Sequence, residues 1–156
     1  MTIEIFIAFA TRLSLVLLFL PFSALDKALN FGDATKQARQ VTNNETLAKA
    51  LILVGMFVEV VMSLGVLTGI ADRLAAFILA GYCAVTAILF KQFWRKPDFR
   101  FLGPSKGKEM MWDFLKNFAV AGGFLLITFG TSARTVDDFF TAPLSSTHPY
   151  AIGAAP

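Results

Sequence analysis

The chain has one cysteine, Cys83, and one histidine, His148, in 156 residues. A single thiol within an apolar run forms no intrachain disulfide and no CxxC dithiol, so Cys83 is expected to fill core space. One histidine in a polar tail cannot supply the two axial imidazoles usual for an internal b-type haem. The sequence also lacks clustered metal ligands, a Gly-rich phosphate loop and a nucleophile paired with a base, so no intrinsic cofactor, metal or catalytic residue is expected. Charge is scarce too. Charged side chains make up 16% of the chain and hydrophobic ones 56%, whereas an ordinary soluble domain carries about 25% charged residues. The composition is that of an integral membrane protein. Its net charge of +3 resides in bases that lie between apolar runs, which makes them topology signals and not a nucleic-acid surface.

Long apolar runs are what the sequence has in plenty. Hydropathy places membrane spans at about residues 3–25, 51–70, 73–90 and 111–130, each near the 20 or so residues that cross a hydrocarbon core of ~30 Å. This predicts an all-α fold: an integral membrane four-helix bundle over residues 1–130 with both termini on one side, followed by a polar tail at 131–156. Residues 1–24 could be taken for a signal peptide cleaved near Phe22-Ser23-Ala24. Glu4, where a signal carries Lys or Arg, and an apolar stretch longer than a usual h-region favour a retained first span. Pro21 is expected to bend or end that span.

One acid lies near the middle of the second run. Glu59 shares a helical stripe with Gly55 and Ser63, four residues to either side, and this small, polar stripe reads as the inward face. A carboxylate at that depth costs about 2.5–3.5 kcal/mol on insertion scales, so it needs a partner inside the bundle. Arg12 lies about 13 Å into the first span and Glu59 about 16 Å from the end of the second, which lets them meet if the spans are antiparallel and level. In the alternative arrangement Arg12 snorkels to the headgroups, while Glu59 pairs elsewhere or is protonated and hydrogen-bonded to Asn117. The polar interior is thus expected to draw on Arg12, Glu59 and Asn117, with Lys27, Arg73 and Lys116 as further members.

Between the spans, the segment after Gly32-Asp33 suits a short surface helix, and residues 69–72 suit a tight hairpin. Residues 91–108 mix bases with Phe93, Trp94, Phe99 and Phe101, as a segment at a membrane interface does. Loops 26–50 and 91–110 carry most of the Lys and Arg, so the positive-inside rule puts both loops in the cytoplasm and both termini outside. The tail after Gly130, rich in Pro, Ser and Thr, is expected to be mobile or ordered by a partner.

Arg12-Leu13, Asp26-Lys27, Glu59, Leu67-Thr68-Gly69, Asp72-Arg73-Leu74-Ala75-Ala76 and Lys116-Asn117, in that order across four spans, resemble the DoxX family of small four-helix bacterial membrane proteins. The similarity runs from about Thr11 to Gly130. The resemblance implies an inner (plasma) membrane location and a place in membrane redox metabolism, since founding members look like small subunits of a quinol oxidase or a thiosulfate:quinone oxidoreductase. It also implies a non-catalytic accessory or quinone-facing subunit, with a quinone at the bundle surface and membrane lipids and other membrane subunits as partners. A small transporter or channel-like protein and an assembly factor or scaffold are the alternative readings.

Overall fold

The structure, a computed structural model, describes residues 2–152, the side chains of 133 and 134 excepted. Among the described residues all regular elements are helical, and four helices are long and apolar enough to cross a membrane: Ile3–Leu29, Glu45–Thr68, Asp72–Arg95 and Lys106–Phe129. The second and fourth begin before the expected starts at 51 and 111, because their first turns carry charges such as Glu45, Lys49, Lys106 and Glu109 that hydropathy does not count as span.

The first span has two parts. Helix α1 covers Ile3–Val16, the winding breaks at Leu20 (φ −120°, ψ 115°) just before Pro21, and α2 resumes over Ala24–Leu29. Proline lacks the N–H that would continue the ladder, so the break falls where the sequence places it. Helix α3 (Phe31–Ala38) is the expected short surface helix. Helix α4 (Glu45–Thr68) starts at Asn44, whose side chain accepts from the Leu47 amide at 3.2 Å, and ends at Gly69 with φ +78°, the left-handed conformation that glycine adopts without penalty. The hairpin turns at once into α5 (Asp72–Phe90). Helix α6 (Lys106–Phe129) is capped by Ser105, which accepts from the Lys108 amide at 3.2 Å.

Helix α4 packs against α1 and α5, α5 against α6, and α6 closes back on α1, while α2 and α3 lie on α4. The core between them is made of Val16, Phe19, Val66, Leu79, Cys83 and Phe124 with several alanines. Cys83 is therefore core, as its apolar setting predicts. Leu53, Val54, Phe57, Val61 and Leu64 project outward from α4 on the side opposite Gly55, Glu59 and Ser63. That exposed apolar face suits hydrocarbon and the inward stripe suits a polar interior.

One expectation about the ends needs correction. The tail is ordered by its own bundle: α7 (Ala133–Thr141) buries Phe139 against Phe77 and Phe129, and the residues after it fold over the 69–72 turn. There Pro149 abuts Gly69, and the Tyr150 hydroxyl donates to the Leu67 carbonyl. Tail composition looked disordered because its few anchors, Phe139, Thr147 and Tyr150, are too widely spaced to make a periodic pattern. Within the bundle, Gly123 of α6 gives room to Leu15 of α1.

Candidate functional site

The bundle interior contains two separate charged clusters, both reached from the inward face of α4. In the first, Glu59 is 1% exposed and its Oε1 accepts from the Ser23 hydroxyl at 3.0 Å, the Tyr82 hydroxyl at 2.9 Å and the Lys27 ammonium. Lys27 also donates to Ser23 Oγ at 2.6 Å. Ser23 and Lys27 lie one helical turn apart beyond the break at Leu20, and both face Glu59 from there. Tyr82 reaches across from α5 because Gly55 leaves it room: a Cβ at Gly55 would stand 3.0 Å from the Tyr82 hydroxyl.

Lys27 and Ser23 also line a polar cleft of about 280 Å3 with Asp26, Asn30, Asp33, Ala34, Gln37 and Ile52, between α2, α3 and α4. The buried carboxylate thus has a cation on the side that opens to the first polar loop. Within the cleft lining, the hydrogen bond and charge of Lys36 hold the Asp33 carboxyl below the usual carboxylate range.

The second cluster lies two turns along α4, about 10 Å nearer the 69–72 hairpin. Arg12 donates to the Val66 carbonyl at 2.7 Å and forms an ion pair with Asp72 at 2.7 Å. Asp72 is fully buried at the first residue of α5, where the helix dipole favours an anion. The tail completes this group. The Thr147 hydroxyl donates to Asp72 Oδ2 at 2.5 Å and accepts from Arg12 at 2.6 Å, and the Thr147 amide donates to Asp72 Oδ1 at 2.9 Å.

The expected Arg12 to Glu59 contact does not form. Arg12 stands level with Val66 and not Glu59, because α1 begins nine residues before Arg12 whereas α4 ends two residues after Val66. The first span therefore projects past the hairpin, and treating the two apolar ends as level misjudges the register by about two turns. Nor does Asn117 bond to Glu59. It is half-buried at the middle of α6, whose buried residues are Gly107, Met111, Ala121, Phe124 and Thr128. Lys116 is exposed and, among the described residues, pairs only with Asp113, at 3.6 Å. Arg73 is half-buried; its carbonyl accepts from Thr128 at 3.1 Å, and its Nε has no partner among the described residues.

Sequence reasoning missed Ser23, Tyr82, Asp72 and Thr147 as cluster members. The i, i+4 spacing of Ser23 and Lys27 was a usable signal, as was a tyrosine inside an apolar span. Asp72 was visible in the hairpin but looked like a turn residue, and Thr147 gave no local signal.

Adding one methyl at Gly55 tests this geometry. Gly55→Ala pushes the Tyr82 hydroxyl off Glu59 and is expected to lower stability in detergent by about 1–3 kcal/mol, the usual range for overpacking. In the Tyr82→Phe background that methyl meets no hydroxyl, so its cost should fall by more than half. An equal cost in both backgrounds would place the clash elsewhere.

Among the described residues no group of three or more His, Cys, Asp or Glu side chains is arranged to hold a metal ion. The DoxX family model matches residues 7–92, more than half of the chain, and the matched stretch contains Arg12, Ser23, Lys27, Glu59, Asp72 and Tyr82. The chain belongs to the DoxX family. No curated protein and no solved structure matches it.

Proposed function

We propose that this DoxX-family membrane protein is an accessory, quinone-facing subunit of a membrane redox complex in the inner (plasma) membrane. The observation that carries the reading is the Lys27, Ser23 and Tyr82 cluster on buried Glu59, joined to a polar cleft on the loop side. Reduction of a quinone consumes protons as well as electrons, and a buried acid beside an ammonium and a phenol is equipped to hold and pass protons at a low-dielectric site. Electron carriers belong to the partner subunits in this account. An apolar groove of about 400 Å3 between α4 and α5, lined by Met62, Gly65, Thr68 and Ala75 among others, would suit a prenyl chain.

Purification from native membranes in mild detergent tests the proposal. A redox-active partner should co-purify, and Glu59→Gln should leave that assembly intact while lowering its quinone-linked turnover. Migration solely as a free small protein would contradict it.

The same cleft favours a second reading, a small transporter whose path runs past Lys27 and Glu59. Proteoliposome flux of an anion, a proton or a small acid that disappears in Glu59→Gln would decide for transport.

In the proposed orientation loops 26–50 and 91–110 are cytoplasmic and both termini are outside. The excess of Lys and Arg in those loops, from Lys27 to Lys49 and from Lys91 to Lys108, supports it. A reporter fused after Pro156 should be active when it requires export and silent when it requires the cytoplasm; the reverse pattern would overturn the orientation.

A further inference from the structure

Helix α4 carries two buried polar atoms without a partner among the described residues, Glu59 Oε2 and Ser63 Oγ, one turn apart on its inward face. Their residues are 1% and 0% exposed, and an unpaired polar group at such burial costs about 1–3 kcal/mol. Ser63 also departs from the local habit of this protein. Thr11, Thr68, Thr86 and Thr128, each within a long helix, donate to the carbonyl four residues earlier at 2.8–3.2 Å. Ser63 could satisfy itself in the same way and does not, so its hydroxyl is turned away from the backbone.

We infer that Glu59 Oε2 and Ser63 Oγ are the two protein ends of an internal water site. Side chains four residues apart on a helix are neighbours on one face, so one small molecule between them can hydrogen-bond to both oxygens. The bridging group must donate, because a carboxylate oxygen only accepts, and the serine hydroxyl can donate to it or accept from it. It is neutral, since Lys27 already supplies the counter-charge to Glu59. A water meets these demands and needs only a small space with polar partners. The site lies on the side of Glu59 that faces the Arg12 and Asp72 cluster, so water there extends the polar track along α4 from the Lys27 cleft toward Val66. This inference is independent of any quinone or redox partner.

A crystal structure of the full chain grown in lipid, at a resolution that places ordered waters, tests it. Expected is a single peak within about 3.2 Å of both Glu59 Oε2 and Ser63 Oγ, which disappears in Ser63→Val, whose extra methyl occupies the space. Three results in the unsubstituted protein would each overturn the inference: no peak at that position, a Ser63 hydroxyl bonded to the Glu59 carbonyl, or density continuous with a lipid or another larger molecule. Since the unsubstituted protein decides the question, failure of Ser63→Val to fold would not protect it.

Discussion

Arg12→Leu is expected to cost about 3–5 kcal/mol of stability, the range for breaking a buried ion pair by removing one partner. Asp72 is fully buried, and the guanidinium is its only cationic partner among the described residues. Without it the carboxylate keeps the Thr147 hydroxyl and amide but loses its counter-charge. Thermal or denaturant unfolding in detergent measures the loss. Arg12→Leu combined with Asp72→Asn should be less damaged than the two single losses added together, because the double variant strands no charge. Thr147→Val removes one donor to the same carboxylate and is expected to cost less, about 1.5–3 kcal/mol, as charge-assisted hydrogen bonds do. That smaller loss would also confirm that the tail is seated on the bundle in solution.

The second large effect concerns an asymmetry at the other cluster. Lys27→Met leaves Glu59 buried without a cation, and a loss of about 3–5 kcal/mol is expected. Glu59→Gln should cost much less. Its amide oxygen still accepts from Ser23 and Tyr82, and the Lys27 side chain, 20% exposed at the cleft, can turn its ammonium to water and to Asp26. Equal losses in Lys27→Met and Glu59→Gln would mean that Lys27 is as tightly enclosed as the acid, contrary to the position of the cleft.

Much of the architecture follows from features a sequence carries locally. A run of about twenty apolar residues is a span whatever surrounds it, and Pro21, Asn44, Gly69 and Ser105 mark breaks and ends through their own backbone chemistry. The inward stripe of Gly55, Glu59 and Ser63 was legible for the same reason, because helical period alone puts the three on one face. Partner choice was not. Whether Glu59 meets Arg12 or Lys27 depends on how far one helix slides along another, and apolar side chains in a bundle set that offset with no mark in either sequence segment. An error of two turns was enough to exchange every partner. Thr147 was further out of reach, since its contact with Asp72 closes a loop of more than seventy residues.

The double-mutant cycles between the two clusters test the central claim most directly, namely that the bundle holds two independent buried ion pairs at different depths. Unfolding free energies in detergent would be measured for Arg12→Leu, Asp72→Asn, Lys27→Met, Glu59→Gln and their pairwise combinations. Coupling above about 1 kcal/mol is predicted for Arg12 with Asp72 and for Lys27 with Glu59. Arg12 with Glu59 should be additive within about 0.5 kcal/mol, as expected of sites about 10 Å apart. Strong coupling between Arg12 and Glu59, with additivity inside the two pairs, would contradict the account.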